Sequence, residues 1–91
     1  MSAAAEMVLR ALHSGAIEVT RLAGGSGVVL HAASLRSRTL NPVGMSLLDA
    51  LAARAKSDAD LADDLVLRYD VDRVTALRDV EAFLAALNAL L

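Results

Sequence analysis

Hydrophobic positions change their spacing at Leu40-Asn41-Pro42-Val43-Gly44. Before this junction they alternate with polar residues, as in a half-buried strand; after it they recur every three or four residues, as on one face of a helix. Asn41 suits a helix N-cap, since its side-chain oxygen can accept an unpaired first-turn N–H. Pro42 suits the first helical position, where it wastes no N–H and φ is already set. The chain passes here from extended to helical.

The alternating half predicts three strands. Ile17-Glu18-Val19-Thr20-Arg21-Leu22 puts Ile17 and Val19 on one face and Glu18 and Thr20 on the other. Gly24-Gly25-Ser26-Gly27 permits the positive φ values of a hairpin turn. Val28-Val29-Leu30-His31-Ala32 opens with β-branched residues and reads as the second strand. Ser34-Leu35-Arg36-Ser37-Arg38-Thr39-Leu40 is the third, with Arg36 and Arg38 on one side and Leu35, Ser37 and Thr39 on the other. It is polar enough to be an edge, which charged residues commonly blunt.

The second half predicts three helices. The first covers residues 42–55, with Val43, Leu47, Leu48 and Leu51 forming its buried stripe. Ser57-Asp58-Ala59-Asp60 resembles a capping box and opens the second, lined by Leu61, Leu65 and Tyr69. Its early aspartates lie where the helix dipole favours negative charge. Asp72 is the expected N-cap of the third, which reaches nearly to Leu91 with Leu77, Val80, Phe83, Leu84, Leu87 and Leu91 in a wide apolar arc. The class is α+β: a three-stranded antiparallel sheet followed by three helices, winged helix-turn-helix-like.

Residues 1–15 stand apart from the 16–91 domain. Ala3-Ala4-Ala5-Glu6-Met7-Val8-Leu9-Arg10-Ala11-Leu12 has high helix propensity but lacks a clear apolar face and stops at His13-Ser14-Gly15. Short helices are marginal alone, so the expectation is a frayed helix or an extended segment laid along the sheet.

Ninety-one residues make one domain. Of the 56% apolar residues many are alanine, leaving 17 leucines and 9 valines to fill the core. With no cysteine, disulfides and thiolate chemistry are excluded. No apolar run approaches the ~20 residues that span a bilayer, and no secretory signal is visible, so the expected location is cytoplasmic. The net charge of −2 divides into +2 over residues 1–41 and −4 over residues 42–91. The helical half repels nucleic acid on average, while the extended half weakly attracts acidic peptide.

No catalytic residue is expected. His13 and His31 lack a serine–acid arrangement, and no metal or cofactor is implied. The glycine cluster fits no phosphate-binding pattern. The aspartates of the second helix lie on a helix and not in a calcium loop. DNA binding by the helix-turn-helix is the alternative function, but the third helix sets Arg73 and Arg78 against Asp72, Asp79 and Glu81. Peptide binding has a simpler basis: the third strand's unpaired main-chain groups can take an extended segment as a further strand.

Leu40-Asn41-Pro42-Val43-Gly44 after short strands, then Tyr69-Asp70-Val71-Asp72, then Asp79-Val80-Glu81-Ala82-Phe83-Leu84-Ala85-Ala86-Leu87, resembles the PqqD-like family. These RiPP recognition elements hold the leader peptides of ribosomally made, modified peptides. The resemblance spans roughly residues 16–91, and the Asn-Pro-x-Gly form at 41–44 is most similar to the standalone leader-binding proteins of lasso-peptide pathways. Arg36, Ser37 and Arg38 depart from the aromatic residues usual before the Leu-Asn pair, and Ala55-Lys56-Ser57-Asp58 replaces the usual Asp-Gly turn. The resemblance implies a non-catalytic escort. The leader would pair with Leu35, Arg36, Ser37, Arg38, Thr39 and Leu40 and contact Val74, Leu77, Arg78 and Glu81 on one border of the third helix, with Ala76, Phe83 and Leu90 lining the other. The implied partners are the precursor peptide, a separate leader-removing protease and a downstream ring-forming enzyme, with no nucleic acid and no membrane.

Overall fold

The computed structural model describes residues 2–53 and 57–91. The element order is α1 (Ala3–Ser14), β1 (Ile17–Arg21), β2 (Gly27–His31), β3 (Arg36–Leu40), α2 (Pro42–Ala53), α3 (Asp58–Arg68) and α4 (Arg73–Asn88). The strands form one antiparallel sheet in the order β1-β2-β3. This is the α+β class that the pattern predicts, with, among the described residues, three α-helices after the sheet, one more before it and a 3-10 turn at Ala23–Gly25 between β1 and β2.

The additional helix is α1. Ser2 caps its start, the side-chain oxygen accepting the Ala5 N–H at 3.1 Å, and Gly15 ends it at φ 80°. Only Ala5, Val8 and Ala11 are buried, a narrow row of mostly small side chains that a search for a broad apolar face passes over. The Asn88 side-chain amide donates to the Ala4 carbonyl at 3.0 Å, and the Ser2 hydroxyl donates to Asp58 at 2.8 Å. The segment is therefore neither frayed nor laid along the sheet: it is a helix docked on the other helices.

In the sheet, Ile17, Gly27, Val29 and Leu40 are buried on the inner face. Gly24 and Gly25 take the positive φ values that the turn needs, while Gly27 belongs to β2 itself. A Cβ on Gly27 would stand 2.9 Å from the Thr20 carbonyl oxygen and 2.5 Å from the Met45 sulfur. Backbone cannot yield as a side chain can, so Gly27→Val should cost about 1–3 kcal/mol in urea unfolding, the scale of overpacking. An unchanged midpoint would place that close approach elsewhere.

The third strand starts later than the alternation suggests. Leu35 lies in the turn at φ 60°, donating its N–H to the His31 carbonyl at 2.8 Å, and is 75% exposed. Ser34 holds this turn, its hydroxyl accepting from the Arg36 N–H and lying 2.7 Å from His31 Nδ1.

Asn41 caps α2 as expected, accepting the Gly44 N–H at 2.8 Å. Met45, Leu47, Leu48, Ala50 and Leu51 are buried on this helix. Its expected end at Ala55, and the Ala55-Lys56 part of the following turn, lie outside the described residues. Ser57 caps α3 through the Asp60 N–H at 3.1 Å, and Leu61, Ala62 and Leu65 enter the core. Helix α4 buries Ala76, Val80, Phe83, Leu84 and Leu87. It ends at Asn88, so the chain turns Leu90 inward and leaves Leu91 exposed, the reverse of a helix continued to the terminus.

Asp72 caps α4, its carboxylate accepting the Thr75 N–H at 2.7 Å. That hydrogen bond, aided by the more distant Arg78, holds the Asp72 carboxyl below its ordinary value. A carboxyl depressed by folding contributes stability above its unfolded pKa and loses it as pH falls through the folded value. Asp72→Asn, which caps without titrating, should show a smaller loss of urea midpoint between neutral and acid pH. Identical acid limbs for the two proteins would remove Asp72 from the pH dependence.

Candidate functional site

Strand β3 ends the sheet on one side, and the ladder shows which of its main-chain groups are unused. The Ala32 N–H donates to the Ala16 carbonyl and the Leu22 N–H to Ser26, so β2 reaches β1 through Leu30 and Val28. Main-chain groups alternate sides along an antiparallel strand. Gly27 and Val29 therefore face β3, where they oppose Leu40 and Arg38. By the same alternation the N–H and C=O of Ser37 and Thr39 point away from the sheet. Among the described residues, no main-chain hydrogen bond other than the β2 ladder reaches them. The N-terminal segment packs as α1 and leaves this edge open.

Beside the edge lies a groove of about 450 Å³ between β3 and α4. The Arg36 guanidinium donates to the Ala89 carbonyl at 2.9 Å, tying the start of β3 to the end of α4. Arg38, Thr39 and Leu40 line the strand wall, and Asp79, Ala82, Phe83 and Ala86 line the helix wall at i, i+3, i+4, i+7 spacing. The floor is the junction that organises the sequence, through Asn41, Val43 and Gly44, with Leu47. Leu40, Leu47 and Phe83 are buried, so both walls and the floor of the groove reach the edge of the core.

Of the residues singled out in sequence, Arg38, Thr39 and Leu40 meet in this groove, with Ser37 and Arg36 beside it on β3. Leu35 stands outside the strand. Val74, Leu77, Arg78 and Glu81 form a row of their own on α4, but not among the residues of the groove wall. Val74 is 67% exposed and Leu77 packs partly against the core. The row that meets β3 is Asp79, Ala82, Phe83 and Ala86. Its signal in the sequence is the pair of alanines flanking the single phenylalanine, small side chains that leave room over a helix.

The basic residues of α4 are poorly disposed for a nucleic-acid backbone. Arg73 pairs with Asp63, and Arg78 lies near the Asp72 carboxylate. Among the described residues, no group of three or more His, Asp or Glu is placed to hold a metal. No helix among them is long and apolar enough to cross a membrane.

An open strand edge beside a helix-walled groove defines a class of peptide-accepting modules built by strand addition. The chain belongs to the PqqD family, described as coenzyme PQQ synthesis protein D, whose model matches residues 26–90. Two solved structures are similar to it. One is a lasso peptide synthetase B1 complexed with the leader peptide, 30% identical, covering 81% of this chain and 85% of that one with a TM-score of 0.71. The other is TbiB1 in complex with the TbiA(beta) leader peptide, 28% identical, covering 81% and 84% with a TM-score of 0.70. No curated protein sequence is a significant match.

Proposed function

We propose that this protein binds, without catalysis, the leader of a ribosomally made precursor peptide, of the lasso class. The leader adds as a strand along Ser37 and Thr39 and lays alternate side chains into the groove against α4. The observation that carries this reading is the open edge of β3 beside the groove that it forms with α4. The likeness to two leader-peptide complexes supports it. The protein then presents the precursor to a separate leader-removing protease, ahead of a ring-forming enzyme. On this reading the protein works in the cytoplasm. On α4 the contact row is Asp79, Ala82, Phe83 and Ala86, in place of the Val74, Leu77, Arg78 and Glu81 border.

Fluorescence anisotropy with the N-terminal segment of the co-encoded precursor tests the reading, with duplex DNA as contrast. Main-chain pairing and apolar contact depend weakly on salt, whereas phosphate contacts release counterions and weaken steeply with it. The expected result is saturable binding of the peptide that persists at high salt. Binding of duplex alone, lost as salt rises, would instead make the protein a winged-helix regulator.

A further inference from the structure

The groove carries one charged residue on each wall. Of its described lining residues only Arg38 and Asp79 are charged. Among the described residues neither has a hydrogen-bond or ion-pair partner, whereas Arg21, Arg68 and Arg73 are each paired with an aspartate and Arg36 is held by Ala89. The Arg38 and Asp79 side chains are both exposed, and Asn41, Val43, Gly44 and Leu47 form the floor between them.

The positions of the two charges follow from the Arg36–Ala89 hydrogen bond, which brings the start of β3 to the end of α4. From that anchor Arg38 lies two strand residues along, about 7 Å at strand rise. Asp79 lies ten helix residues back along α4, about 15 Å at helix rise. With β3 and α4 taken as running side by side from that anchor, the two backbone positions fall about 8 Å apart along the groove, Arg38 toward the start of β3 and Asp79 toward its end. An extended guest covers that span in about two residues, and residues two apart share a face.

Resting on the strand-addition reading above, we infer that the groove selects a dipolar segment. The guest carries an acidic residue facing Arg38 and a basic residue facing Asp79, two positions apart on its groove side. Antiparallel pairing is the more stable arrangement. It sets the guest's N-terminal end near Asp79, so the order is basic, any residue, acidic. The opposed charges then do what an apolar groove cannot: they fix register and direction. A guest slipped by one residue turns both charges to the solvent side. A guest entered backwards meets two like-charge contacts.

A display library of short randomised peptides tests this, selected on the wild-type chain and on the Arg38→Glu, Asp79→Lys and Ser37→Pro variants, each checked for folding by circular dichroism. Wild type should enrich the basic-x-acidic pattern. Arg38→Glu should lose the acidic preference alone and Asp79→Lys the basic preference alone. Affinity for the wild-type winners should fall about tenfold in each, the scale of turning one exposed attraction into a repulsion. Peptides captured by wild type and lost with Ser37→Pro, but without charge bias or with the order reversed, would overturn the dipolar selection and leave strand addition standing. No capture by wild type, or capture undiminished in Ser37→Pro, would overturn the reading on which it rests.

Discussion

Ser37→Pro should weaken leader binding by about 10- to 100-fold while the protein stays folded, the cost of leaving a buried main-chain acceptor of the guest without its donor. Proline removes the N–H that faces the open side and fills the space where the guest's carbonyl must approach. The fold tolerates it because Ser37 donates nothing to β2, and edge strands accept proline with the N–H side to solvent. Arg36, the residue before it, is already extended, as a proline requires of its neighbour. Ser37→Ala keeps the N–H and should bind like wild type. Anisotropy titrations of the three proteins decide the matter, with circular dichroism to confirm the fold. Equal affinities for the proline and alanine variants would remove the edge from recognition.

Leu84→Ala should cost about 2–5 kcal/mol, the range for truncating a buried leucine. Leu84 is 2% exposed and sits on α4 among Val80, Phe83 and Leu87, with α1 and α3 packed against that helix. Alanine is the better helix former, so the loss reports packing and not helix propensity. Against a total stability of roughly 5–15 kcal/mol this leaves little margin, and the melting temperature should drop by about 10–30 °C. Leu67→Ala is the control: Leu67 is 85% exposed on α3 and should change stability by no more than about 0.5 kcal/mol. Equal costs in urea unfolding at the two positions would contradict the assignment of the core.

Much of this was legible in the chain because local chemistry and tertiary packing agree. Asn41 and Pro42 leave few alternatives to a helix start, and Ser57 and Asp72 cap the next two helices where their spacing places them. Strand faces followed the alternation at Ile17 and Val19. The differences arise where packing decides. Leu35 fits the alternation yet spends its φ on a turn held by Ser34. Helix α1 is fixed by a partner residue, Asn88, far along the chain, and its buried row is mainly alanine, which carries little signal. The α4 wall of the groove was hidden for the same reason: two of its four positions are alanines, which look alike whether they line a groove or face solvent. Only the placement of β3 distinguishes them.

The bond from Asn88 to Ala4 joins positions 84 apart. Helix α1 is made before α4, yet α4 is the largest part of the surface it docks on. Contacts so distant in sequence form late, once the intervening chain has been drawn together. The side of α1 that meets α4 must therefore stay uncovered until α4 has left the exit tunnel.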